Sequence, residues 1–351
     1  MTAATVSSNN PHDALVHAVF SRLENAAGEL RAVLPPALVA SIDWSTLRLE
    51  TGHHTDPELD DTYSDLVYSA RLAGHPVLLY VLFEHQSSED PMMALRLLRY
   101  MLRVWDAWRA ENPNAKRVPA IVPVVLSHAE AGWHKPVAMR ELYDAPEELL
   151  ADLLPYLPDF RFVLDDLTAR SDEELMARAL QATGVLGLLL LRHAREERNM
   201  VGPLLDWVQL MRTVWEAPDG REAFRMVVQY VMLANKLTTI QDLVQALVPV
   251  LGAGAREVIM TEGQRLIEQG RIEGVARGRA EGRAEGRAEG RAEGLAEGRA
   301  AAVLAVLAAR GLAVSDGVRD RVMACTDLSI LDRWIVRAAT AGSAEDALSD
   351  G

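Results

Sequence analysis

Apolar positions recur first at helical spacing: over residues 12–33, Leu15, Val19 and Leu30 share one side of an amphipathic helix that Pro35 and Pro36 stop. Residues 46–50 then alternate as a short strand does, and an acidic loop follows at 55–62. Next come two apolar runs, 64–69 and 77–86, divided only by residues 70–76, and they predict a β-hairpin. Residues 92–109 predict a helix whose apolar stripe is Leu95, Leu98, Leu102 and Trp105, residues 120–127 predict a fourth strand, and 160–164 a fifth. Helix, three strands, helix, strand is the order of a mixed α/β sheet rather than of a sandwich or a bundle.

Beyond Thr168 the spacing turns helical. Ser171 and Glu174 form a capping box before an apolar-periodic segment reaching Arg195, and residues 203–216, 221–237 and 240–251 continue as amphipathic helices. Residues 278–298 repeat Gly-Arg-Ala-Glu with one exception, Leu295 in place of Arg. A four-residue step overshoots a helical turn by about 40°. No fixed face therefore persists, like charges meet at i, i+4, and each Gly costs about 0.8–1.0 kcal/mol relative to Ala. The arithmetic favours a weak helix or a spacer; a Gly/Ala seam for close helix association is the alternative. A small helical unit follows over 300–340, with Gly311 as a stop, Ser315 and Thr326 as N-caps and Trp334 for its core. The expected divisions are 1–10 disordered, 11–168 an α/β domain, 169–275 a helical extension, 276–299 the repeat and 300–351 the C-terminal unit.

The hairpin carries the candidate chemistry. With Gly74-His75 as the central pair of a type II′ turn, Asp65 falls opposite Glu84, with Cβ atoms about 4.5–5.5 Å apart, and Gln86 shares their face. Two carboxylates so close repel unless a positive charge lies between them. A divalent cation suits that gap, and Mg²⁺ typically binds through one or two carboxylates while keeping several waters. The structural alternative is a strand-entry Asp and a solvated strand-end Glu, and a register error of one residue would part them.

Length and charge narrow the setting. A chain of 351 residues with 49% hydrophobic content has material for two or three domains with real cores. Cys325 is the single cysteine, no charged-then-apolar leader opens the sequence, and the apolar run 185–191 is far short of the ~20 residues that span a bilayer. The expected setting is soluble, reducing and cytoplasmic, without a membrane. A net charge of −14 argues against electrostatic coating of nucleic acid but leaves room for a local basic surface. Arg96, Arg99 and Arg103, beside Tyr100, supply either that surface or simply the solvated face of their helix.

Several of these segments, in order, resemble one family. They are Pro11-His12-Asp13-Ala14-Leu15, Leu34-Pro35-Pro36, Ser64-Asp65-Leu66, Phe83-Glu84-His85-Gln86-Ser87, Leu95-Arg96-Leu97-Leu98-Arg99-Tyr100-Met101 and Pro123-Val124-Val125-Leu126-Ser127-His128. Over about the first half of the chain they are similar to the Rpn recombination-promoting nucleases, also called YhgA-like transposases, within the PD-(D/E)XK nuclease superfamily. The resemblance implies a restriction-endonuclease-like mixed-sheet core followed by an all-helical C-terminal half, acting as a Mg²⁺- or Mn²⁺-dependent DNA endonuclease. By position it makes Asp65, Glu84 and the His85 carbonyl metal ligands, and Asp65, Glu84 and Gln86 the catalytic set, with Arg96, Arg99 and Arg103 gripping DNA phosphate. Gln86 stands where the superfamily has Lys; an amide is neither base nor cation and is left to orient water or a phosphate oxygen. Ser64 replaces the superfamily's Pro. His12 and Asp13 match the family's opening motif. The competing readings are a DNA-binding or regulatory protein without hydrolysis, and an interaction protein that forms homo-oligomers through its helical half.

Overall fold

In the computed structural model, which describes residues 10–50, 65–84, 89–193 and 199–349, with backbone alone at 65, 78 and 80–84, the helix expected over 12–33 is two. They are α1 (Pro11–Phe20) and α2 (Leu23–Val33), broken where Arg22 turns extended. Asn25 Nδ2 donates to the Val19 carbonyl at 3.0 Å and so satisfies a group the break leaves open. The inward positions stand as expected, with Leu15, Val19 and Leu30 all buried.

After α3 (Pro36–Ser41) come β1 (Ile42–Leu49), β2 (Asp65–Leu72), β3 (His75–Glu84), α4 (Met93–Glu111), β4 (Ala120–Ser127), α5 (Glu147–Leu153) and β5 (Val163–Asp166). The five strands form one sheet in sequence order, β1–β2–β3 antiparallel and β3–β4–β5 parallel. The mixed sheet matches the sequence reading. Leu66, Tyr68, Leu79, Val124 and Leu126 pack on the α1–α2 side, and Val67 and Val125 pack under α4. The face of α4 differs from expectation: Met93, Leu97, Tyr100 and Val104 are buried, whereas Leu95 and Leu102 are exposed. Two overlapping stripes of the helix are apolar, and the sheet takes the one that contains Met93 and Ala94 at its entrance.

The remaining helices are α6 (Asp172–Met176), α7 (Ala182–His193), α8 (Val201–Asp206), α9 (Val208–Glu216), α10 (Gly220–Ala234), α11 (Ile240–Leu251), α12 (Ala253–Ala309), α13 (Asp316–Met323), α14 (Leu328–Ala338) and α15 (Ala344–Ala347). The Ser171–Glu174 capping box is present but heads only the short α6, and the apolar run beyond it is the separate α7. α7 is apolar all round because it is buried all round, from Thr183 to Leu191. Residues up to Leu266 make one compact unit whose core runs from the α1–α2 side of the sheet through α7, α9, α10 and α11. No helix among the described residues is long and apolar enough to cross a membrane.

A close seam ties the helices to the sheet layer. Gly28 of α2 is required there, since a Cβ would lie 2.3 Å from the Ala179 carbonyl oxygen. Alongside it Asn25 Oδ1 accepts from the Gln181 amide at 3.0 Å. Arg178 donates from Nη1 to Glu29 at 2.6 Å, and from Nη1 and Nη2 to the two oxygens of Asp165 at 2.7 and 2.8 Å. Helix and strand are thus joined through one buried guanidinium.

Residues 267–351 form a second unit. The Gly-Arg-Ala-Glu repeat is helical, lying inside the 57-residue α12, and residues 271–295 are exposed throughout. Arg283 and Arg287 fold back to donate to the carbonyls four residues earlier, each at 3.1 Å. Further on, Ala300, Val303 and Leu307 build a small core with Val322, Leu331 and Trp334. Gly311 stops α12 at positive φ and Ser315 caps α13, as expected, but the cap of α14 is Asp327 and not Thr326. Asp327 accepts from both Ser329 and Ile330 amides.

Glycine is the weak point of the repeat. A Cβ at Gly278, Gly282, Gly286 or Gly290 meets nothing within 4 Å. Replacing the four by Ala should strengthen the helix by about 1 kcal/mol per site, read as higher far-UV ellipticity and a later melt of that signal. Unchanged ellipticity would mean that the segment is not helical in solution.

Candidate active site

The hairpin turns one residue earlier than its sequence suggests. Ala73 and Gly74 are the central pair, both at positive φ (48° and 84°), which is the type I′ signature rather than II′. Leu72 pairs with His75, and Asp65 consequently lies opposite Leu82, not Glu84. A slip of two residues keeps the parity of the strand, so positions 65 and 84 still share a face, now one diagonal step of about 7–8 Å apart. By the same alternation this is the face of Val67 and Val125, under α4. Ala73 pays for the tight turn with a left-handed backbone. Ala73→Gly is expected to raise stability by about 1 kcal/mol in a urea melt; a neutral or negative result would place the turn elsewhere.

Glu84 is the last residue of β3, and its neighbour in the parallel ladder is Ser127, the last of β4. Gln86 and His85 lie outside the described residues, as do the side chains of Asp65 and Glu84. Among the described residues no group of three His, Cys, Asp or Glu side chains is disposed to hold a metal. What the register brings together at this edge is two carboxylate-bearing positions on one face, at the start of β2 and the end of β3.

Beside those ends sits a buried polar cluster that sequence reasoning marked only in part. His128, directly after Ser127, is 2% exposed, and its ring lies 4.8 Å from that of His12. The N-cap of α1 is Asn10, whose side chain accepts from the His12 amide at 3.0 Å, which leaves the His12 imidazole for other use. His12 Nδ1 shares a hydrogen bond of 2.9 Å with the Tyr230 hydroxyl of α10, and Asp13 beside it is buried. Tyr230 was not singled out from sequence. Its signal was faint: one hydroxyl within the apolar run Val227, Val228, Val231.

The three arginines of α4 do not form one surface. Arg99 is exposed, while Arg96 and Arg103 flank the buried stripe. Arg96 pairs with Asp90 at 3.1 Å, its side chain 17% exposed, just before the helix begins. Arg99 is thus the member of the set most open to a ligand.

The family described as "Putative transposase, YhgA-like" matches residues 10–222. The chain is 26% identical to Recombination-promoting nuclease RpnA of Escherichia coli (strain K12) over 264 residues, 75% of this chain and 85% of the relative. Over 277 residues it is 26% identical to Recombination-promoting nuclease RpnD of Escherichia coli O157:H7, 76% of this chain and 96% of that protein. It is also 32% identical over 204 residues to the inactive nuclease-like protein RpnE of strain K12, 58% of this chain and 64% of the relative. No solved structure matches the chain. With a family model matching more than half its length, the chain belongs to the Rpn, or YhgA-like transposase, family.

Proposed function

We propose that this protein is a metal-dependent DNA endonuclease with a PD-(D/E)XK-like core, linked to recombination and working in the cytoplasm. The observation that carries the reading is the hairpin register, which sets Asp65 and Glu84 on one face at the strand ends. Relatives named as nucleases support it. Asp65, Glu84 and the His85 carbonyl would hold Mg²⁺ or Mn²⁺; such an ion supplies a water of lowered pKa and charge neutralisation at the phosphoryl oxygens. Gln86 orients the attacking water through its amide, and Arg99, with Arg96 and Arg103 behind it, binds a flanking phosphate. Water adds to phosphorus and one P–O ester bond breaks.

A DNA-binding protein without hydrolysis is the second reading, favoured by the 32% identity to a relative named inactive. Incubation of supercoiled plasmid with wild type, Asp65→Ala and Glu84→Ala in Mg²⁺ or Mn²⁺ separates the two. Nicking by wild type alone supports the nuclease. Silence from all three, with DNA retarded in a gel, supports the binder.

A further inference from the structure

Charges in residues 278–298 fall into rows. Arg279, Arg283, Arg287 and Arg291 recur four apart, as do Glu281, Glu285, Glu289 and Glu293, and all of them are exposed. Two residues turn a helix by about 200°, so the Arg row and the Glu row run on opposite sides of α12, with a Gly row and an Ala row between them. Opposite charges on one helix meet only three or four residues apart. That happens just ahead of the repeat, where Arg271 pairs with Glu268 at 2.7 Å. Within the repeat no Arg–Glu ion pair forms among the described residues, and Arg283 and Arg287 turn to their own backbone instead. Two charged rows are left for something outside the helix to answer.

A second copy of this chain carries what both rows lack. The Ala row has Arg on one flank and Glu on the other, and it begins at Ile272, which is 55% exposed and lies four residues before Ala276. Farther along, an open groove on the Arg–Ala side is lined by Arg287, Ala288, Arg291, Ala292, Leu295 and Leu328. With the Ala rows as the line of contact, two parallel copies related by a twofold axis set each Arg flank against the other copy's Glu flank, on both sides of the contact. Reversing one helix would put Arg against Arg and Glu against Glu, which repel. We propose that the chain self-associates through this segment, two copies of α12 crossing in parallel with Arg rows facing Glu rows. Rows four apart in two helices lie side by side at a crossing of about −50°. Exposed ion pairs are individually weak and screened by salt, so the contact is salt-sensitive.

Two charge-reversal variants of the full-length chain test this, with mass rather than nicking as the readout. One carries Arg279→Glu, Arg283→Glu, Arg287→Glu and Arg291→Glu; the other carries Glu281→Arg, Glu285→Arg, Glu289→Arg and Glu293→Arg. All eight positions are exposed, so far-UV ellipticity should stay at the wild-type value. In sedimentation equilibrium wild type should form dimers that weaken as salt is added. Each variant alone should associate more than about 10-fold more weakly, and an equal mixture of the two should recover wild-type association as a one-to-one pair. A wild type that stays monomeric, a variant that dimerises as wild type does, or a mixture that remains monomeric would overturn the proposal.

Direction is read separately. The Gly row lies opposite the Ala row, and a Cβ at Gly270 or Gly290 meets nothing within 4 Å. Spin labels at Gly270→Cys and Gly290→Cys, with the single native cysteine removed by Cys325→Ser, therefore leave the contact intact. The two sites are about 30 Å apart along the helix. In parallel copies each label should lie nearer to the same site in the other copy than to the unlike site. The reverse order would mean that like charges are brought together, and the matching of Arg rows to Glu rows would fall.

Discussion

Glu84→Ala and Asp65→Ala should each reduce metal-dependent plasmid nicking by more than about 100-fold. Residues that only stand behind metal ligands typically cost 10–100-fold when removed, so loss of a ligand itself should exceed that range. Glu84→Gln sharpens the result, because it keeps shape and removes only charge. It should be nearly as inactive as Glu84→Ala while melting at the wild-type temperature. EDTA should silence wild type, and excess Mg²⁺ or Mn²⁺ should restore it. The effect depends on the parity of one hairpin: Asp65 pairs with Leu82, and Glu84 is one diagonal step further on the same face. A Glu84→Gln protein that nicks at wild-type rate would mean that the carboxylate holds nothing the reaction needs, and the acidic pair would revert to a strand-entry Asp and a strand-end Glu.

Local signals in the sequence were enough for the sheet and for the shared face of positions 65 and 84, but not for their register, since Asp65 lies opposite Leu82. Alternation is a period of two, so a turn one residue earlier moves the register by two and leaves positions 65 and 84 on one face, no longer directly opposite. The same tolerance is missing in α4, where a helix with two overlapping apolar stripes offers no internal reason to bury Leu97 rather than Leu98; contact with Val67 and Val125 decides it. The break between α1 and α2 likewise answers to distant groups, since α2 has to bring Gly28 against Ala179. His12 was legible as part of a motif, but its partner Tyr230 lies 218 residues away, and no pattern of spacing joins them. Glu29, Asp165 and Arg178 are the extreme case. Each reads as an ordinary surface charge, and only the folded chain makes them one buried cluster.

Arg178→Ala is accordingly expected to destabilise the protein by about 3–5 kcal/mol, the cost of leaving a buried charge without its partner, and to lower the melting temperature on the order of 10 °C. The Arg178 side chain is 7% exposed and that of Asp165 is 1%. Burial pushes the Glu29 carboxyl well above the usual carboxylate range, and the neighbouring Asp165 pushes it further, so Glu29 keeps its proton. Asp165, despite its own burial, is held below its usual range by the hydrogen bonds from Arg178, and it carries the charge. The two shifts act in opposite directions. Below about its ordinary value of 3.8, Asp165 binds more protons unfolded than folded, so its contribution to stability grows as pH rises through the acid range. Above its ordinary value of 4.5, Glu29 binds more protons folded than unfolded, so its contribution declines as pH climbs toward its raised folded value. Urea melts from about pH 5 to pH 8 should show that decline in wild type, and Glu29→Gln should flatten it: the amide can still accept from Arg178 but has no proton to lose. Equal slopes in wild type and Glu29→Gln would contradict the assignment of the proton to Glu29. The Arg178→Ala penalty carries the complementary signature. It should shrink as the pH falls far enough to protonate Asp165, because a neutral carboxyl no longer needs the guanidinium, whereas a penalty that is the same at every pH would mean that Arg178 contributes packing rather than charge.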